Sequence, residues 1–314
     1  MSADAATANG AAATTAAAPI PAGTIHDLGY RRYLGTRRPQ RTRWRVIARQ
    51  QLQAAWKGFW RFKLPLLLAV INTVVWIVAL TTPAFLKAAV ARFTASNADD
   101  VILAMSWRYY GTAAFLVSMT VTSGVVAADR ASGAFSFYFA RPVRARDYIL
   151  GKLAGLTALA AAILLAGPVV LTLVRLGLHA SSDEVLAHAG VLPRVLAIGA
   201  MAALAFAAVP LAISALVERR RYAIAVWAAY YLVFGLVATG LGAATGLPLG
   251  ALDLSVAMQS LAYDWLDVGL TFGPRVFVAA PWAIASLLGH SLVAVAIVAW
   301  RIDAARRAGL GSSS

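Results

Sequence analysis

The sequence predicts an all-α integral membrane protein: six transmembrane helices preceded by an N-terminal amphipathic helix at the membrane surface. Three observations predict it. Of 314 residues, 61% are hydrophobic and 13% charged, with a mean hydropathy of +0.72. Soluble domains carry about 25% charged residues, which they need to face water. Six apolar runs reach the roughly 20 residues that a helix needs to cross a bilayer. The cations fall mostly on one side of those runs, as the positive-inside rule requires. Cysteine is absent, which excludes a disulfide framework, a thiolate metal site and a cysteine nucleophile.

Residues 1–24 are Ala/Thr/Pro-rich with almost no charge or bulky apolar surface, and are expected to be disordered. Residues 25–63 begin with the basic block "DLGYRRYLGTRRPQRTRWR". The block leads into a periodic stretch in which Trp44, Ala48, Leu52, Ala55, Phe59 and Phe62 recur every three or four residues. Arg45, Arg49, Gln53, Lys57 and Arg61 occupy other faces. This pattern predicts an amphipathic helix on a membrane surface and argues against nucleic-acid binding. Anionic lipid heads attract each nearby cation by about 1 kcal/mol.

A six-span domain, 64–305, follows, with spans near 64–82, 109–128, 149–174, 192–216, 222–243 and 278–300; residues 306–314 form a tail. Placing both termini inside puts 22 of the 28 Lys and Arg residues on the inner side, so both termini are expected to be cytoplasmic. Pro168 and Pro210 fall inside the third and fourth spans and predict kinks. Gly151/Gly155 and Gly242/Gly246 match the small-xxx-small spacing of close helix contacts, a spacing that a Gly- and Ala-rich chain also produces by chance.

The spans also exclude chemistry. No Asp or Glu lies in a span interior; Asn72 and His290 are the strongly polar residues at depth. A secondary carrier needs ionisable groups there. There is no G-x-S-x-G elbow and no H-E-x-x-H pair. The outer loop "HASSDEVLAHAG" offers a weak metal candidate in His179, Asp183, Glu184 and His188, against the plainer reading of a polar loop meeting water. Gly151-Lys152 is not a phosphate-binding loop, because Arg146 and Leu153 stand where Gly and Ser/Thr belong. Energy for active transport would therefore come from another polypeptide, through a cytoplasmic contact.

The loop "AADRASGAFSFYFARPVRARDYILGKL" (127–153) has the composition of such a contact. Ser132-Gly133 breaks the preceding helix, and Phe135–Phe139 form an aromatic patch predicted to be exposed. Pro142 suits the first turn of a new helix. Aromatics and arginines are enriched at protein interfaces.

In the order Asp129-Arg130, Ser132-Gly133, Phe135–Phe139, Arg141-Pro142, Arg146-Asp147-Tyr148 and Gly151-Lys152, this stretch resembles the segment after the second span in permease subunits of ATP-binding-cassette transporters of the type-2 exporter class. "IHDLGYRRYLGTRR" resembles a segment preceding the surface helix in some bacterial members. The resemblance implies a half-transporter in the bacterial inner membrane that pairs with a second permease copy. The two copies together would bind two separate ATPase subunits, which would carry the ATP and magnesium; the resemblance implies that this chain itself holds no cofactor and is not an enzyme.

The implied ATPase-coupling residues are Asp129, Arg130, Phe135, Phe137, Tyr138, Phe139, Arg141, Pro142, Arg144, Arg146 and Asp147. Trp44, Arg45, Arg49, Trp56 and Lys57 are implied as the surface-helix contact. Family members often place re-entrant helices before the last span, and 250–268 fits that place. The alternatives are a non-transporting scaffold that recruits a cytoplasmic partner through the same loop, and a secondary carrier.

Overall fold

The computed structural model describes residues 42–82, 96–135, 138, 143–179, 181–269 and 277–311. The expected disordered tail and most of the basic block lie outside these residues. The described chain contains helices and turns and no strand. Six segments are long and apolar enough to cross a membrane: Phe59–Thr81, Ala98–Ala131, Ala145–Gly177, Ser182–Leu216, Arg220–Thr245 and Ala280–Arg307. This is an all-α membrane protein.

Helix α1 (Arg43–Lys57) precedes the first span and ends at Gly58, with Lys57 in its last turn opposite the negative end of the helix dipole. It has two apolar stripes. Ile47, Ala48, Gln51 and Ala55 are buried, while Val46, Leu52 and Trp56 are exposed. The first span runs through a π-helical turn, Phe59–Lys63, into α2 (Leu64–Thr81), with Pro65 in the first turn, where its missing N–H costs nothing. Asn72 accepts from Trp76 Nε1 at 2.7 Å, a partner one helical turn away.

The second span joins α3 (Ala98–Val117), a π-helical turn (Ser118–Thr122) and α4 (Val125–Ala131). Asn97 caps α3 by accepting from the Asp99 N–H at 3.0 Å, and Asp99 and Asp100 sit in its first turn, where the helix dipole favours anions. The third span is interrupted: α5 (Ala145–Leu164) gives way at Leu165 to α6 (Ala166–Gly177). Pro168 explains the break, since it has no N–H for the Leu164 carbonyl and its ring crowds that carbonyl. A Cβ on Gly199 would lie 2.6 Å from the same carbonyl oxygen, so the fourth span crosses at the break.

Helix α7 (Ser182–His188) leads into α8 (Val191–Leu216), which continues as one helix through Pro210. The fifth span comprises α9 (Arg220–Ala229), a π-helical turn (Tyr230–Phe234) and α10 (Gly235–Thr245). It ends at Gly246, whose φ of 73° is the left-handed conformation of a helix-terminating glycine.

The chain then turns back. A 3₁₀ turn (Pro248–Leu252) and α11 (Leu254–Trp265) follow, with Asp253 capping α11 by accepting from Ser255 N at 2.8 Å and Val256 N at 3.3 Å. A Cβ on Gly235 would lie 2.7 Å from Asp253 Oδ2, so this turn has re-entered to the level of the fifth span's middle. The last helix is α12 (Ala280–Gly311).

Spans two and four are central, with 72% and 67% of their apolar windows buried; spans one and five are peripheral, at 17% each. Aromatic contacts hold the fifth span to the centre. Phe115 stacks on Tyr231 at 4.1 Å between ring centroids, and Trp227 Nε1 donates to Ser118 Oγ at 2.9 Å. Exposed Trp60, Trp282 and Trp300 stand near span ends, where interfacial tryptophans belong.

Candidate functional site

The expected coupling loop lies at the end of the bundle that carries Arg130, Arg144, Arg146, Arg219, Arg220, Arg221 and Arg301. Its centre is Asp129 on α4. Lys152 Nζ and the Tyr148 hydroxyl, both on α5, meet the same Asp129 oxygen, each at 2.8 Å. Tyr148 and Lys152 are one turn apart and share a helix face. Lys152 is only 3% exposed, and a buried ammonium must be paired, so Asp129 fixes the second span to the third.

Phe135 and Tyr138 cover Tyr148 edge-on, at 5.5 and 5.3 Å between centroids. Both are half-buried, which corrects the expectation of exposure for these two rings: they pack over Tyr148 beside the Asp129 pair. Burial and the nearby Asp129 carboxylate push the Tyr138 phenol above its ordinary value. Phe137, Phe139, Arg141 and Pro142 lie outside the described residues.

The loop re-enters the bundle at Arg144, the residue before α5. The Arg144 N–H donates to Asp147 Oδ2 at 3.3 Å, so Asp147 is a buried capping group at the start of α5. Arg144 and Arg146 are exposed. Arg130 turns inward instead and donates to the Ala215 carbonyl at 3.2 Å, at the end of the fourth span. Ser214 Oγ of that span accepts from Val126 N and Ala127 N at 3.0 and 3.1 Å, satisfying two orphan donors at the start of α4.

Helix α1 lies directly against α5. A Cβ on Gly151 would sit 2.6 Å from Ile47 Cβ and 2.7 Å from the Trp44 carbonyl; one on Gly155 would sit 2.9 Å from the Ala48 carbonyl. The small-xxx-small spacing here is a real helix seam, seating α1 one face away from the Tyr148/Lys152 pair. Arg45, Arg49, Trp56 and Lys57 point away from that seam and are exposed, while Trp44 is half-buried. Arg45 stacks on Trp44 at 5.5 Å and Lys63 on Trp56 at 5.6 Å.

Tyr148 and Lys152 were not among the expected coupling residues, whereas Gly151 and Gly155 carry the small-xxx-small spacing that the sequence offered. The available signal was the Asp-Tyr-x-x-Gly-Lys spacing, which places an acid's natural partners one turn apart.

At the opposite end, the His179 and His188 rings stack at 4.5 Å, Glu184 Oε2 lies 3.8 Å from His179 Nδ1, and Asp183 is exposed. Among the described residues no three His, Cys, Asp or Glu side chains gather as a metal-binding set. The stronger feature there is an ion pair: Arg175 Nη2 lies 2.7 Å from Asp100 Oδ1, with Arg175 3% exposed, clasping the third span to the second.

No curated protein matches the chain. Residues 85–301 match the family described as "ABC-2 family transporter protein". That match exceeds half the chain and contains the whole loop, the Asp129 pair, spans two to five and most of the sixth. The chain is a membrane-spanning, permease-type member of the ABC-2 transporter family.

Proposed function

We propose that this permease is the membrane half of an ATP-driven exporter and takes its force from separate ATP-hydrolysing subunits. They would contact the exposed cations of α1 and of the loop, Arg45, Arg49, Lys57, Arg144 and Arg146, together with the loop's remaining residues. The observation that carries this reading is the joining of the contact region to the spans. The Asp129–Tyr148–Lys152 cluster and the α1 seam make α1, α4 and α5 one rigid body. A push on the loop therefore moves spans two and three together, without loss in a flexible linker.

ATP and magnesium belong to the partner, two copies of which would serve a homodimer of this chain. The arginine-rich end faces the bacterial cytoplasm, and the inner membrane is the site of action. The test is co-expression with an ATP-binding-cassette ATPase that co-purifies with the chain. R144E with R146E should weaken the complex at least about tenfold and abolish stimulated ATP hydrolysis, because reversed rim charges oppose docking. Unchanged binding and hydrolysis would refute the loop assignment; binding without ATP-driven flux in vesicles would leave a scaffold.

A further inference from the structure

A cavity of about 670 Å³ lies beside spans four, five and six, closed above by the re-entrant turn at Pro248–Leu252. Its walls are almost entirely apolar: Ala212, Ile213 and Leu216 on α8 face Val293, Ala294 and Ile297 on α12. The polar groups at its deep end are already engaged. His290 Nε2 lies 2.9 Å from the Tyr230 hydroxyl and Nδ1 2.8 Å from the Ser286 carbonyl, while Ser286 Oγ donates to the Ala251 carbonyl. That end therefore offers no binding group, and packing accounts for His290.

The charge lies at the other end. One turn beyond Ile297, Arg301 lines a second cavity of about 250 Å³ with Arg130 and Ala215. Arg130 Nη1 and Arg301 Nε donate to the same Ala215 carbonyl, at 3.2 and 3.4 Å. Neither has a carboxylate partner among the described residues. Each guanidinium has five N–H donors, so most remain unused, and two cations share one neutral acceptor.

The depth fits one kind of occupant. Exposed Trp282 and Trp300 are 18 residues apart, about 27 Å along a helix, close to the roughly 30 Å of the hydrocarbon core. Arg301 is therefore at headgroup level. His290 is 11 residues above it, about 16 Å, near the bilayer midplane.

We propose that this groove binds an anionic phospholipid, with an acyl chain along α8 and α12 up to His290 and its phosphate at Arg301 and Arg130. The bound lipid comes from the leaflet at the arginine-rich end and is independent of any ATPase contact.

Native mass spectrometry of the full chain, extracted from vesicles of equal phosphatidylglycerol and phosphatidylethanolamine, tests this. The wild type should retain phosphatidylglycerol preferentially. R301Q should lower that preference about tenfold, as losing a charge-assisted phosphate contact implies, while R307Q, an exposed arginine paired with Asp303, should not. Gly289 lines the groove, and a Cβ there meets nothing within 4 Å; G289F should fill the space and displace both lipids. Inorganic phosphate should not compete. Equal retention of both lipids by the wild type, an equal loss in R307Q, or competition by phosphate would overturn the proposal. So would spontaneous disulfide crosslinking of V293C in an otherwise cysteine-free chain, which would make the groove an interface between copies.

Discussion

Lys152 is a tightly constrained charge: it is buried, it sits 5.4 Å over the Tyr148 ring, and it is paired with the Asp129 carboxylate. Removing one member of a buried pair leaves the other uncompensated, whereas removing both can be nearly neutral. K152M should therefore destabilise the protein by about 3 kcal/mol, and K152M with D129N should recover most of that loss. Thermal unfolding in detergent reads both; a single variant as stable as the parent would show that the pair holds nothing. The same logic applies at the other end. D100N leaves Arg175 without its counter-ion and should lower the unfolding midpoint by several degrees, and R175M with D100N should restore it. These residues stand out in the sequence as charges beside apolar runs. Which acid meets which base could not be read there, because the partners come from different helices.

At the level of elements, two glycines decide where α1 sits. Any side chain at Gly151 meets Ile47 and the Trp44 backbone below 3 Å, and backbone cannot yield as a flexible side chain does. G151L should lift α1 from α5, exposing Ile47 and Ala55. Limited proteolysis should then cut within 43–57 faster than in the wild type, while Gly177, with nothing near its Cβ, should tolerate Ala without effect. Equal cleavage in both would mean that α1 is not seated by this seam. The periodicity of α1 was legible from sequence, but its direction was not. A helix with two apolar stripes can turn either toward lipid, and only the glycine groove on α5 selects Ile47, Gln51 and Ala55 for burial. The two prolines make the same point. Pro168 interrupts its span at Leu165, yet Pro210 sits within one continuous helix, so a proline names a weak place in the ladder without fixing its outcome.

For the whole molecule, the distribution of charge predicts a handed arrangement in the membrane. Without native cysteines, single labels report it cleanly. R144C should react with a membrane-impermeant maleimide only in inverted vesicles, and D183C only in right-side-out vesicles, since the two positions lie at opposite ends of the third span. Labelling of both from one side would overturn the orientation. The sequence by itself determined that the chain enters a bilayer six times, because hydropathy and length are local quantities that no tertiary contact alters. It also marked the loop after the second span as the place where charge collects. Only the tertiary structure decided that spans two and four are central, that the half-buried Asp129 clasps the buried Lys152 with Phe135 and Tyr138 over the Tyr148 ring, and that Arg130 and Arg301 converge on one carbonyl. Those outcomes depend on which helix faces meet, and a chain of similar apolar helices leaves that choice to the fit of small residues and the pairing of buried charge.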